Sequence, residues 1–370
     1  MKVKDIGREI NAIAPLGLAL DWDNVGLLVG DENADVKNVL MTIDLTKGVL
    51  AEAKRKKVDM IMAYHPVIWD GLKKVTASGE GSIVYDLVRS GINVFSIHTA
   101  YDIAMGGVND ALAEIVGIGD AEPIGDFVEN PAGDFYKVIV FVPAKSVNKV
   151  ADAMFKAGAG QIGNYSKCSY RSDGQGTFLP MEGSNPAIGE KGRLEYVDEI
   201  KVESIVPGGK LEGVIGAMVK AHPYETPAYD VFREYGIGGK MGLGRMGELE
   251  KAGRLDDIVA NIKKVTGAKA LGMIGPEKKR VRKAAVCAGS CGNIVNTVMK
   301  AECDMYLTGE LKHHQALAAQ EAGLTCICLS HSVSERFALK NLAKELKKRL
   351  GDVKIQLSRK DADPFRWKNI

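Results

Sequence analysis

Twice along the chain, short β-branched apolar runs alternate with stretches whose apolar residues recur every three to four positions. This alternation constrains the fold more than any other feature of the sequence. In the first third, Val39–Ile43, Val58–Ala63 and Ile92–Ile97 read as strands. Helical patterns at Lys47–Lys57 and Ser82–Arg89 separate them, and another at Gly107–Val116 follows. In the last third, Ala284–Ala288, Asp304–Leu307, Leu324–Leu329 and a closing Val353–Leu357 read as strands, with helices predicted over Asn293–Ala301, Leu311–Ala322 and Val333–Leu350. A βαβαβα rhythm implies parallel strands covered by helices, and therefore an α/β fold.

The middle of the chain has a different order. Tyr136–Val142 alternates as a strand, Val147–Ala157 is helical, and residues 158–193 are rich in Gly, Ser and Asn. Val197–Val206 then reads as a strand, Leu211–Ala221 as a helix and Ala228–Phe232 as a strand. This is a βαββαβ order of the ferredoxin-like kind, with one hairpin strand poorly defined. Pro131–Gly133 and the glycine run Gly236–Gly247 supply the borders. The expected architecture is thus a two-lobed α/β core of parallel-rich sheets, 1–130 and 241–370, interrupted by an inserted α+β domain at 131–240. Gly242 to Gly247 formally spells G-x-G-x-x-G, but Gly236 to Met241 before it cannot make a reliable strand, so a domain border is preferred to a dinucleotide loop.

Composition narrows the function. A length of 370 residues suits two or three domains. Lysine plus arginine total 49 against 47 acidic residues, so no strong field draws the chain to nucleic acid or an anionic membrane. No apolar run reaches the roughly 18 residues of a membrane span, and the N-terminus lacks the apolar core of a signal peptide, so a cytoplasmic protein is expected. The six cysteines form no C-x-x-C pair and read mainly as small core hydrophobes.

In open α/β sheets, ligands bind beyond the carboxyl ends of the strands, so the residues following each strand are the place to look. There the chain offers Tyr64-His65-Pro66, His98-Thr99-Ala100-Tyr101-Asp102 and Ser330-His331-Ser332-Val333-Ser334-Glu335. Both halves thus carry a histidine with an acid four residues later. His65, His98, Asp102, His331 and Glu335 give mixed N/O donors suited to a divalent transition ion, and a carboxylate can bridge two such ions. Each residue also has a structural reading. Ser332 and Glu335 would form a capping box, Asp102 would cap a loop, and His65 would occupy a turn before Pro66. His313 and His314, after Gly309-Glu310-Leu311-Lys312, diverge by about 100° on a helix and suit phosphate binding or proton transfer, or simply a polar first turn.

With these segments in view, the chain resembles the dinuclear metal-centre family of GTP cyclohydrolase 1 type 2 homologues, also called the Nif-three-like family. The resemblance rests on those strand-end motifs together with Asp21-Trp22-Asp23-Asn24-Val25-Gly26-Leu27, Gly106-Gly107-Val108-Asn109-Asp110 and Gly309-Glu310-Leu311-Lys312-His313-His314. In the middle, Gly176-Thr177-Phe178-Leu179-Pro180 and His222-Pro223-Tyr224-Glu225 look like the PII- or CutA-like insertion of its longer members. The resemblance implies one ion held by His65, Asp102 and Glu335, and a second to which His331 and a bridging Glu335 contribute. The family usually has His-His-Pro where this chain has Tyr64-His65-Pro66. A phenol of pKa about 10 is a poorer ligand than imidazole. The second site would then be weaker, filled by a Tyr64 tyrosinate, or supplemented by His98. Cys291 stands where the family favours glycine. Hexameric rings are also implied.

Two functions follow as expectations. One is a metal-dependent hydrolase opening the purine ring of a GTP-like nucleotide, with His98 or the His313/His314 pair as acid or base. The other is a metal-binding regulatory or scaffold protein whose insert senses a ligand. One or two ions per chain are expected, and N/O donors accept Zn, Mn, Fe, Co or Ni.

Overall fold

The structure, a computed structural model, describes residues 1–128, 135–162, 165–234, 241–277 and 280–365. The expected border Pro131–Gly133 and the start of the Gly236–Gly247 run lie outside the described residues. The chain divides into two compact units, Met1–Val128 with Lys240–Ile370, and Glu129–Gly239.

In chain order the strands of the first third are β1 (Gly26–Val29), β2 (Asn38–Thr42), β3 (Met60–Ala63), β4 (Asn93–Ser96) and β5 (Glu122–Ile124). The middle holds β6 (Phe135–Pro143), β7 (Tyr170–Phe178), β8 (Glu195–Pro207) and β9 (Tyr229–Arg233). The last third holds β10 (Gly244–Arg254), β11 (Gly272–Ile274), β12 (Arg280–Cys287), β13 (Met305–Thr308), β14 (Thr325–Cys328) and β15 (Lys354–Leu357).

One sheet of the larger unit runs β1-β4-β3-β2-β15, parallel except at the β1 edge. The other runs β11-β14-β13-β12-β10-β5, with a parallel centre and antiparallel flanks. The closing strand therefore does not complete the second lobe. Lys354–Leu357 pairs with β2 of the first sheet, and β5 of the first third pairs with β10 of the second. Each sheet takes an edge strand from the other end of the sequence, so neither is built from one contiguous third. A shared core, including Met41, Met62 and Phe95 from one sheet and Val286, Leu307 and Ile327 from the other, joins them. The second face of the first sheet packs Leu40, Ile61 and Val94 against Val49 and Leu87 of two covering helices, Lys47–Arg55 and Ser82–Ser90.

The predicted Val333–Leu350 helix is two helices, His331–Arg336 and Leu339–Leu350. The G-x-G-x-x-G stretch is neither a border loop nor a dinucleotide turn, because it runs into β10. A Cβ at Gly242 would lie 2.9 Å from the Ile124 carbonyl, and one at Gly244 2.8 Å from that of Val286. These glycines let β10 lie close against its neighbours.

The smaller unit is an antiparallel sheet of order β7-β8-β6-β9, with helices Val147–Ala157 and Leu211–Ala221 packed on the face that carries Val138, Val140 and Val202. Numbered within the unit the order is 2-3-1-4, the ferredoxin-like arrangement. Among the described residues no helix is long and apolar enough to cross a membrane.

The C-terminal segment is clasped by one buried carboxylate. Glu52, 1% exposed, accepts from Ser358 Oγ (2.6 Å) and from the backbone N–H groups of Arg359 and Lys360, and pairs with Lys56 at 2.7 Å. Burial favours its neutral form, but the bonds from Lys56, Ser358 and Arg359 outweigh this and lower its pKa to about 2. Its contribution is therefore present above the usual pKa near 4.5 and is lost as pH falls toward 2. Glu52→Gln is expected to cost about 1–3 kcal/mol at neutral pH and little at pH 2, so its melting temperature should vary less across that range than that of the wild type.

Candidate metal centre

Three strands deliver their carboxyl ends to one cleft of about 580 Å³, lined from both sheets of the larger unit. Tyr64 and His65 follow β3, with their backbone N–H groups still bonded to the Thr42 and Ile43 carbonyls. His98 opens the helix His98–Ile103 just beyond β4, and His331 opens His331–Arg336 just beyond β14. In both helices the acid, Asp102 or Glu335, lies one turn after the histidine and on the same face. Glu335 is not a capping residue. The helix N-cap is Ser330, whose side chain makes no capping bond, and Ser332 Oγ instead accepts from Arg336.

His65, His331 and Glu335 converge, each offering one ligand atom within 4.8 Å of the others. Glu335, 2% exposed, points one oxygen at each histidine: Oε1 is 3.2 Å from His331 Nε2 and Oε2 is 3.4 Å from His65 Nε2. The opposite ring nitrogens are held by carboxylates, His65 Nδ1 by Asp44 at 2.8 Å and His331 Nδ1 by Glu310 at 3.0 Å. A carboxylate on Nδ1 is the usual support of a metal-ligating histidine, since it fixes the ring and leaves Nε2 for the ion. His65 Nε2 and Glu335 Oε2 are buried and make no hydrogen bond. Buried polar atoms are nearly always bonded, so this pair fits an ion between them. Gly289 leaves the room: a Cβ there would stand 2.8 Å from Glu335 Oε1, and its φ of +71° suits glycine.

The electrostatics follow from the same contacts. Burial disfavours the charged form of Glu335, but His331 and His65 outweigh it and bring its pKa to about 2. His331 rises to about 9, chiefly through its bond to Glu335. His65 rises to about 10, because Asp44 and Glu335 overcome the cost of burial. Asp102 behaves oppositely, with burial lifting it to about 7.

The other sequence candidates are placed differently. Tyr64 and Asp102 stand beside the convergent group, hydrogen-bonded to each other through the Tyr64 hydroxyl. Burial, then the Asp102 charge, raises the Tyr64 pKa well above its ordinary value, and its hydroxyl donates to Asp102. His98 lines the cleft with Nδ1 2.8 Å from Asp23, which also accepts from Thr99 N and Oγ. His313 and His314 are exposed, on the first turn of the helix His313–Glu321. From that turn Lys312 and Gln315, rather than the two histidines, line the cleft, because successive helix positions diverge by about 100°.

Sequence reasoning named Trp22, Asp23 and Glu310 only as members of motifs, without a role, and did not name Asp44 or Trp69; Asp23, Asp44 and Glu310 orient the histidines. Both tryptophans line the cleft while 61% and 53% exposed, with ring centroids 5.7 Å and 5.2 Å from that of His98. Two large exposed aromatic rings beside a polar cleft were the available signal.

Known proteins resemble this chain over nearly its whole length. The family model described as Duf34/NIF3 (NGG1p interacting factor 3) matches residues 1–364. A Halalkalibacterium halodurans protein named GTP cyclohydrolase 1 type 2 homolog is 35% identical over 356 residues, 95% of each chain. A Bacillus subtilis protein of the same name is 34% identical over 357 residues, again 95% of each. The crystal structure of a Bacillus cereus protein related to NIF3 superposes with a TM-score of 0.85 at 34% identity, covering 100% of this chain and 99% of that one.

Proposed function

The chain belongs to the Duf34/NIF3 family, and from that premise we propose that it is a divalent-metal-dependent hydrolase acting on a GTP-like nucleotide. One observation carries the reading: His65, His331 and Glu335 converge on a point where two buried polar atoms make no hydrogen bond, inside an open cleft. A divalent ion held by these side chains would supply Lewis acidity and lower the pKa of water toward neutrality. Zn, Mn, Fe, Co and Ni all suit this N/O donor set.

The remaining roles belong to the chain's own residues. Trp22 and Trp69 offer flat faces for a purine at the cleft rim. Lys312 offers a positive charge to phosphate. His98, with Nδ1 held by Asp23, keeps Nε2 for proton transfer to or from the substrate. Asp102, bonded by Tyr64, offers a further carboxylate oxygen. The curated relatives' name, GTP cyclohydrolase 1 type 2 homolog, supports the substrate class.

The test is to load purified protein with each ion, quantify the bound metal and measure formate released from GTP. His65→Ala is expected to lose both metal and turnover, while Trp69→Ala should raise KM with bound metal unchanged. Fully loaded protein that releases no formate would end the hydrolase reading. The ligands also come from both sheets of the larger unit, which favours a second reading in which the ion mainly staples them together. The Glu129–Gly239 unit extends the proposal, as a PII- or CutA-like insertion in a chain that assembles into a cytoplasmic hexameric ring. Light scattering at six times the 39.8 kDa chain mass would support that assembly.

A further inference from the structure

Two motifs of the middle segment remain unused by the metal centre, Gly176–Pro180 and His222–Glu225. The fold brings both to one cavity of about 530 Å³ within the smaller unit. Its floor is the sheet face turned away from the helices, where Gly174 of β7 lies opposite Glu199 of β8 and Ser172 opposite Lys201. Phe141, Phe178 and the loop residues Pro186 and Ile188 give it apolar walls. That loop is pinned at both ends: Gly192 N donates to the Pro180 carbonyl at 2.8 Å, and Asn185 N to Glu225 at 3.3 Å.

Among the polar residues of the lining, which include Gln175, Thr177 and Lys201, two bear on what the cavity binds. Glu199 is only 9% exposed. Among the described residues it forms no ion pair, because the lysine lining the cavity, Lys201, pairs with Glu203 at 2.5 Å. His222 does not neutralise it either. Its Nδ1 accepts from Tyr224 N and its Nε2 donates to the Phe141 carbonyl, both at 3.0 Å, which is the bonding of a neutral imidazole. The Tyr224 hydroxyl is buried and lies against Glu199, whose charge adds to burial in raising its pKa, but it makes no hydrogen bond of ordinary geometry. Gly176 preserves the arrangement, since a Cβ there would fall 2.3 Å from Glu199 Oε2. A buried carboxylate without a counter-cation is costly, and a cation seated against Glu199 and the Tyr224 hydroxyl would relieve that cost.

We propose that this cavity is a second binding site, separate from the metal centre, for a small organic cation: an apolar or aromatic body carrying a protonated amine or amidinium that pairs with Glu199 and donates to the Tyr224 hydroxyl. The volume lies within the usual range for such ligands, roughly 300–1,000 Å³. The cation supplies the charge that Lys201 and His222 withhold, and Phe141 and Phe178 receive its body.

The test uses the full chain and defined probes, benzylamine and benzamidine, against their uncharged counterparts benzyl alcohol and benzamide, with binding followed by calorimetry or ligand-observed NMR. Saturable binding of the cations, at least about tenfold tighter than that of the uncharged probes, is expected. Glu199→Gln should erase the preference, and Tyr224→Phe should weaken the cations several-fold while keeping the ring in place. His65→Ala should bind the cations as the wild type does, which separates this site from the metal centre. Absence of saturable cation binding, or equal affinity for charged and uncharged probes, would overturn the proposal. If Glu199→Gln melts early, the Tyr224→Phe comparison decides, and unchanged cation binding there counts against it.

Discussion

Replacing Glu335 by glutamine is expected to lower divalent-metal affinity by more than about 100-fold, beyond the 10–100-fold typical of losing a supporting residue around a metal. Glu335 is the one member of the convergent group that addresses both others, at 3.2 Å and 3.4 Å. Its amide counterpart offers one neutral oxygen and sets an N–H donor against the imidazole that the other oxygen served. The effect extends to the metal-free protein. Removing one partner of a buried charged pair costs about 3–5 kcal/mol. With its pKa near 2, Glu335 contributes stability above the usual 4.5 and loses it on acidification. His331 and His65, raised to about 9 and 10, contribute below their usual 6.5 and lose it as pH rises through those values. Chelated wild type should therefore gain most from this cluster between pH 4.5 and 6.5, and Glu335→Gln should show no such maximum. Thermal melts across pH, with and without chelator, together with metal analysis, check both halves. Stoichiometric metal in the variant would remove Glu335 from the centre.

The parts of the fold legible in sequence are those where local pattern and tertiary role agree. β2, β3 and β4 are buried on both faces and so appear as continuous apolar runs. β10 is not legible, because its GRMGELEKAGR stretch is glycine-rich and charged with no alternating apolar pattern, and is held as a strand by its pairing with β12 and β5. The same holds for β15. Its pattern says strand, but only the fold says that its partner is Asn38–Thr42 at the other end of the chain. The break between the last two helices was hidden because the residues around it, Phe337, Ala338 and Leu339, are all buried and carry the apolar spacing straight through.

At the candidate metal centre, the His-plus-acid spacing identified the elements, since four residues is about one helical turn. It did not say which donors meet. His331–Glu335 closes on His65, whereas His98–Asp102 is occupied by Asp23 and Tyr64. That difference lies in partners scattered over the sequence, Asp23, Asp44 and Glu310, whose acidic side chains are indistinguishable from solvated ones until the chain is folded.

Arg245→Ala is expected to be strongly destabilising, although Arg245 is a charged residue outside the candidate metal centre. Arg245 is 4% exposed and stitches β10 to the helix that carries His98 and Asp102. Its Nε donates to the Asp110 carboxylate, Nη1 to the carbonyls of Gly242 (2.7 Å) and Gly244 (3.1 Å), and Nη2 to those of Ile103 (2.9 Å) and Ala104 (3.3 Å). Ile103 ends the helix His98–Ile103, so two of these acceptors are the carbonyls that a helix C-terminus leaves without intrahelical partners. Alanine would strand the Ile103 carbonyl, since that of Ala104 keeps its bond from Gly107 N, and would take the counter-charge from a partly buried Asp110, at a cost of about 3–5 kcal/mol. At roughly 2–4 °C per kcal/mol for a domain of this size, the melting temperature should fall by about 6–20 °C. Arg245→Lys should recover only part of the loss, because one ammonium cannot reach acceptors spread around a planar fork. Because Ile103 and Ala104 directly follow Asp102, the alanine variant should also bind metal more weakly than its stability alone accounts for, measured well below its midpoint. A midpoint within about 2 °C of the wild type would show that water replaces the guanidinium without loss, and that β10 does not hold this helix in place.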